Sequence, residues 1–161
     1  MKRLMVLGLT AVLMVGGATV VVASQQRNFH GHLSAAQEVP ANDSRARGQA
    51  IFRLSEDGTE LHYRLIVANL DNVTQAHIHL APAGANGPVV VWLYPAAPPA
   101  QLIEGTTNGN LAMGTITAAN LVGPLAGGSL DDLVEHIRNG NAYVNVHTSQ
   151  FPPGEIRAQL G

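Results

Sequence analysis

The sequence predicts one all-β domain, an antiparallel Greek-key sandwich or barrel of about eight strands with one short helix. Three observations support this fold class. Apolar and polar residues alternate along most of the chain, which is the period of a half-buried strand. Turn-forming residues interrupt this alternation about every ten residues. One late segment has helical spacing instead.

Eight segments carry the alternation of a strand. The breaks between them hold turn-forming residues, such as Glu56-Asp57-Gly58 and the loop at residues 83–88. Strands are predicted at residues 27–35, 49–54, 60–68, 74–80, 89–94, 110–116, 142–148 and 155–160. Many short strands joined by such turns are typical of an antiparallel sandwich or barrel.

The helix is predicted at residues 129–139. Ser129 is placed as its N-cap, acidic residues follow in the first turn, and Gly140 lies where a helix C-terminus is expected. The apolar residues recur at helical spacing: Leu130, Leu133, Val134 and Ile137. We expect this short helix to connect two late strands.

The N-terminus is typical of a secretory signal. Lys2 and Arg3 precede an apolar run that ends in small residues near Ala23. We therefore expect residues 1–23 to be a signal peptide, residues 24–161 to be a single domain, and the protein to be periplasmic or secreted. The run approaches the ~20 residues that span a bilayer, so an uncleaved N-terminal anchor is the alternative.

Composition excludes several classes of function. The net charge is −2, and the only lysine lies in the predicted leader. This mildly acidic balance argues against nucleic acid and against any membrane beyond the N-terminal segment as partners. The chain contains no cysteine, which excludes disulfides, thiolate metal sites and cysteine nucleophiles. No serine lies in a nucleophile elbow, so no catalytic residue is assigned.

Three histidines form the candidate metal site. His77 and His79 point to the same face of a predicted strand because alternate side chains do so, and His147 lies in a strand of similar pattern. Imidazole groups in such an arrangement suit Cu(II) or Zn(II). Copper is predicted on affinity grounds because the set is all nitrogen, with zinc as the alternative.

Strand parity places further polar residues beside the histidines, on a patch outside the barrel. Glu155 either forms a surface ion pair with Arg157 or orients a ligating imidazole, and Arg157 could instead steer anions. The predicted surface patch comprises the three histidines with Asn145, Glu155 and Arg157. A weaker second metal candidate comprises His30, His32 and His62.

Three motifs resemble the CHRD domain, a family named for repeats in chordin and widespread in secreted bacterial proteins. They are Leu33-Ser34-Ala35-Ala36-Gln37-Glu38-Val39-Pro40, the His77-Ile78-His79 segment with the glycine-containing loop that follows it, and Tyr143-Val144-Asn145-Val146-His147 continued to Arg157. The resemblance covers essentially the whole predicted mature chain. It implies an extracytoplasmic β-domain. It allows a protein partner but names none, and it implies no particular reaction.

A looser resemblance is to Cu,Zn superoxide dismutase. It implies copper ligation by His77, His79 and His147 and makes Arg157 a candidate anion-steering residue. The chain departs from that pattern, since no histidine or aspartate lies between Leu80 and Trp92 and no disulfide can form.

Three classes of function stay open. The first is an exported protein that binds Cu(II) and serves in copper binding, delivery or tolerance. The second is a superoxide dismutase-like copper enzyme. The third is a metal-free module that binds a protein or carbohydrate.

Overall fold

Seven strands and one α-helix make up the part of the chain that the computed structural model describes, residues 26–161. The predicted signal peptide, residues 1–23, lies outside the described residues. The helix is α1 (Leu130–Arg138), and single 3₁₀ turns occupy Ala35–Gln37, Ala118–Asn120 and Gly123–Leu125. The strands are β1 (Asn28–Ser34), β2 (Arg47–Leu54), β3 (Leu61–Leu80), β4 (Val89–Tyr94), β5 (Ile103–Ile116), β6 (Ala142–Thr148) and β7 (Ile156–Gln159).

Strand β3 organises the fold because it spans twenty residues and pairs with four other strands. It combines the predicted strands 60–68 and 74–80. The expected break between residues 68 and 74 is a bend within the strand, where Asn69 and Asn72 adopt positive φ angles of 59° and 55°. Asparagine tolerates this region better than most residues, so the chain turns locally and then resumes pairing.

Five antiparallel strands close a barrel in the order β1, β2, β3, β6, β7, with β7 returning to β1. Strands β4 and β5 pair with β3 outside this ring. The all-β barrel is confirmed. Neighbouring strands of the barrel follow one another along the chain, with β4, β5 and α1 inserted between β3 and β6.

The barrel interior is apolar, as the alternation predicts. On β3 the side chains of Ala76 and Ile78 are fully buried, and on β6 those of Val144 and Val146 meet them. The wider core includes Phe29, Leu33, Phe52, Leu65, Leu70, Leu93, Ile116 and Ile156. This core lies on one face of each barrel strand, which leaves the opposite face of β3, β6 and β7 for polar side chains.

Helix α1 matches its prediction closely. The Ser129 side chain accepts a hydrogen bond from the Asp132 amide, and the Asp132 carboxylate accepts one from the Ser129 amide, which completes a capping box. Gly140 follows with a φ of +67°, the left-handed conformation that ends many helices. The four apolar residues of the helix are buried in the core. No helix within residues 26–161 is long and apolar enough to cross a membrane.

We expect an Ile→Ala substitution to lower the free energy of unfolding more on the inner face of the barrel than on its outer face. Ile78→Ala removes a side chain that is 0% exposed, so we expect the free energy of unfolding to fall by about 2–5 kcal/mol. Ile51→Ala is the matched control, because Ile51 is 40% exposed and its loss should cost under about 1 kcal/mol. Urea denaturation measures both variants, and equal losses would contradict the assignment of the interior face.

Candidate metal site

Strands β3 and β6 bring His77, His79 and His147 together. In the register of the two strands, His77 lies opposite Asn145, His79 opposite Tyr143, and His147 opposite Gln75. One ring nitrogen from each histidine lies within 4.8 Å of the other two. Among residues 26–161 this is the only cluster of three or more histidine, aspartate or glutamate side chains with such spacing.

The three histidines are buried, which corrects the predicted surface location. Their exposed fractions are 2% for His77, 8% for His79 and 6% for His147. Strand parity places them outside the barrel as expected, but parity says nothing about what covers that face. The covering segments are residues 35–45 and the loops at residues 81–88 and 149–154, which hydrogen bond to β6, to β7 and to each other.

Two backbone carbonyls orient the imidazole rings. His79 Nδ1 lies 2.9 Å from the Gly87 oxygen, and His147 Nδ1 lies 2.8 Å from the Pro152 oxygen. A carbonyl oxygen only accepts, so both Nδ1 atoms must carry the hydrogen. Both Nε2 atoms therefore keep a free lone pair, the form that binds a metal.

The third imidazole completes the set of nitrogen donors. His77 Nδ1 lies 3.2 Å from His147 Nε2. Because His147 Nε2 carries no hydrogen, the hydrogen of this contact lies on His77 Nδ1. Neither His77 Nε2 nor His79 Nε2 has a hydrogen-bond partner, although both atoms are buried. Buried polar atoms are normally satisfied, so these two nitrogens are available to accept a bond from a group outside the chain.

Burial keeps the imidazoles neutral. It lowers the pKa of His77 to about 3, with smaller contributions from His147 and His79. It also lowers the pKa of His79 to about 4, and it lowers the pKa of His147. All three rings are therefore unprotonated at neutral pH, where no proton competes with a metal.

The spacing of the nitrogens suits a metal ion. Four ligands at metal–nitrogen distances of about 2.0 Å in a tetrahedral arrangement lie about 3.3 Å apart. The 3.2 Å between His77 Nδ1 and His147 Nε2 matches this separation. His77 can offer either nitrogen, because the proton of a neutral imidazole can occupy the other one. The residues present therefore fit a three-histidine metal site.

Aromatic side chains enclose the histidines. The Tyr143 ring stacks on His79 with a centroid distance of 4.8 Å and an interplanar angle of 9°. The Trp92 ring contacts His77 edge to face at 4.3 Å. On the β7 side, the Arg157 guanidinium lies 3.4 Å from the Tyr143 ring centroid, a cation–π contact. These walls limit how far the imidazoles can turn.

The three residues predicted to support the histidines have other partners. Glu155 accepts hydrogen bonds of 2.6 Å from Ser44 and Thr148 and contacts neither an imidazole nor Arg157. Its carboxylate therefore fastens the segment at residues 35–45 onto the barrel. The Asn145 amide donates to Glu38 at 2.8 Å, while its own oxygen has no partner.

Arg157 is part of the interior and does not face solvent. It is 1% exposed, and it donates to the Asn86 side chain at 3.1 Å and to the Pro82 oxygen at 3.4 Å. An arginine that steers anions needs an exposed charge. The contacts of Arg157 instead hold the loop at residues 81–88 against β7.

Sequence reasoning missed the residues that cover and orient the site. Gly87 supplies the carbonyl for His79, and a Cβ there would overlap the Leu80 carbonyl. Glu38 and Trp92 were not predicted as neighbours of the histidines. Glu38 and Gly87 lie within the motifs that resemble the CHRD domain, and that resemblance was the only indication in the sequence of their importance. Trp92 lies opposite His77 in the register of β4, which the sequence could not supply.

The weaker candidate set does not assemble. His30 and His32 are exposed on β1 with ring centroids 6.1 Å apart. His62 lies on β3, where its Nδ1 is 3.0 Å from the Thr115 hydroxyl and its Nε2 is 3.5 Å from Glu60. These three histidines do not form a metal-binding group.

Comparison with known families identifies the family of this chain. The family model of the CHRD domain matches residues 29–160. The chain therefore belongs to the CHRD domain family. No curated protein matches the chain, and no solved structure matches it. The looser likeness to Cu,Zn superoxide dismutase is thus not confirmed.

Gly87→Ala should disrupt the histidine site. The added Cβ meets the Leu80 carbonyl, so the loop must move and the carbonyl that holds His79 moves with it. We expect a loss of about 1–3 kcal/mol in the free energy of unfolding and changed His79 ring signals in NMR spectra. Gly161→Ala is the control because a Cβ there meets open space. Unchanged His79 signals in Gly87→Ala would contradict the assigned contact.

Glu38 should make stability depend on pH. Burial raises the pKa of its carboxyl from 4.5 to about 7, and nearby Arg157 lowers it only partly. The contribution to stability is complete below pH 4.5 and is lost as pH rises through 7, because the folded state binds a proton that the unfolded state has released. Relative to Glu38→Gln, the native protein should lose on the order of 3 kcal/mol between pH 4.5 and 7.5.

Denaturant titrations of both proteins across that range test the dependence on Glu38. The difference between them cancels the titration of the histidines, which are common to both. A difference that stays constant with pH would contradict the burial of an acid with a raised pKa.

Proposed function

We propose that this protein binds one copper ion through His77, His79 and His147 and serves in copper binding, delivery or tolerance outside the cytoplasm. One observation carries the proposal. Three neutral, buried imidazoles converge on one another, and two of their ring nitrogens have no partner in the protein. A metal ion bound in the cluster would satisfy the free Nε2 atom of His79, with His77 offering either of its ring nitrogens.

The chemistry of the donors favours copper. The cluster consists of nitrogen donors, with no carboxylate in it among the described residues. For divalent metals at such a site, affinity rises toward Cu(II) and falls again at Zn(II). Zinc is the alternative metal, because three histidines with an open position also suit it.

Binding is favoured over catalysis by the contacts of Arg157. The guanidinium expected to attract an anionic substrate contacts Tyr143, Asn86 and the Pro82 carbonyl and forms no hydrogen bond to an imidazole. The imidazoles themselves are at most 8% exposed. A superoxide dismutase-like enzyme and a metal-free protein- or carbohydrate-binding module are the alternatives that the experiment below separates.

The location outside the cytoplasm is supported by the N-terminal sequence. Lys2 and Arg3 followed by the apolar run to Ala23 have the order of a secretory signal. N-terminal sequencing of the exported protein would identify the cleavage point, and protein retained in the cytoplasm would contradict the proposed location.

A copper titration with Trp92 fluorescence tests the proposal. Trp92 is the only tryptophan, and its ring centroid lies 4.3 Å from that of His77, so Cu(II) bound at the histidines should quench its emission. We expect saturation at one equivalent and nitrogen hyperfine structure in the electron paramagnetic resonance spectrum. His77→Ala/His79→Ala should weaken binding by more than about 100-fold, since lost second-shell partners alone cost about 10–100-fold.

A second histidine pair provides the matched control. His30→Ala/His32→Ala removes the same residue types at the same spacing from an exposed strand, and copper binding should be unchanged. Equal weak binding by all three proteins would reject the metal site and favour a metal-free module. Displacement of copper by equimolar Zn(II) would reject copper as the preferred metal. Turnover of superoxide that depends on His77 would favour the enzyme.

A further inference from the structure

A pocket lies beside the histidine site, on the β7 side of Asn145. It has a volume of about 220 Å³ and opens between the segment at residues 36–39 and the loop at residues 83–84. Glu38 and Arg157 both line it. Asn145 separates the two sites, because it lies opposite His77 on one neighbouring strand and opposite Arg157 on the other.

The pocket contains an acidic and a basic side chain that form no ion pair with each other. Glu38 is 7% exposed and Arg157 is 1% exposed, yet no ion pair joins them among the described residues. Burial raises the pKa of Glu38 and lowers that of Arg157, and each side chain partly offsets this shift in the other, so the two are near enough to interact. Buried charges are normally paired directly, because an isolated one loses its hydration.

Neutral partners hold the two charges apart. The Asn145 amide bonds to Glu38, while the Asn86 side chain and the Pro82 carbonyl bond to Arg157. Asn86 also donates to the Val39 carbonyl, so it fixes one wall of the pocket to the other. The gap between the carboxylate and the guanidinium is therefore built into the fold and is not a failed ion pair.

We propose that this pocket binds a small zwitterion of the α-amino acid class, with its ammonium group at Glu38 and its carboxylate at Arg157. A ligand with one charge would compensate one side chain and leave the other uncompensated. The volume corresponds to about seven water molecules at ~30 Å³ each, which admits a small amino acid.

The site is independent of the proposed copper function. Its charged groups are not the histidines, and Glu38 and Arg157 have no contact with an imidazole nitrogen. The ligand would fill the space beside Asn145 and would not enter the metal site. Its test must nevertheless exclude copper, because amino acids chelate that ion.

Titration of the ¹⁵N-labelled chain with L-alanine in the presence of EDTA tests the proposal by NMR. We expect saturable shifts in the amides of Gln37, Glu38, Ala83 and Gly84. Acetate and methylamine each carry half of the ligand's charges, and each should bind at least about tenfold more weakly, because it forms one charged contact in place of two. Equal binding by acetate and L-alanine would overturn the zwitterion assignment in favour of an anion site.

Two substitutions examine the two halves of the site. Glu38→Gln keeps the shape of the side chain and should weaken L-alanine binding at least about tenfold, whereas acetate binding should not weaken. Ala83→Leu should block the pocket, whereas Ala97→Leu, at an exposed alanine outside the pocket lining, should bind like the native protein. The absence of saturable shifts in the native protein, or unchanged affinity in Ala83→Leu, would overturn the proposal.

Discussion

The burial of a polar face on strands β3, β6 and β7 constrains much of this structure. The inner face of these strands packs in the apolar core, so the outer face carries imidazoles, amides and a guanidinium. Covering that face removes its water, and each buried polar group then needs a partner. The segment at residues 35–45 and two loops supply most of those partners, chiefly as backbone carbonyls and short polar side chains.

This constraint explains why the family motifs converge on one place. Gly87 and Gly154 lie where the covering backbone approaches closely, since a Cβ at Gly154 would overlap the Asn145 amide and press on the Glu38 carboxylate. Each motif thus provides either a polar side chain or the backbone that satisfies it. The covering segments leave the Nε2 atoms of His77 and His79 without a hydrogen-bond partner. These two free nitrogens mark the candidate metal site.

Much of the fold could be predicted because strand alternation and helix capping are local properties. Ile78 points inward and His77 and His79 outward as a matter of backbone geometry, and Ser129 and Gly140 bound the helix through their own neighbours. Two strands were predicted where β3 is one, because the bend at Asn69 and Asn72 has the composition of a turn. Pairing with β5 on either side of the bend keeps the strand continuous.

The sequence by itself determined the fold class, the face on which each strand residue lies and the three histidines as one candidate set. Only the tertiary structure decided that this set is buried, that Gly87 and Pro152 orient it, and that Glu155 and Arg157 serve other contacts. The reason is physical. Side-chain direction follows from local backbone geometry, whereas burial and hydrogen-bond partners depend on segments up to about a hundred residues away, such as Glu38 beside Asn145.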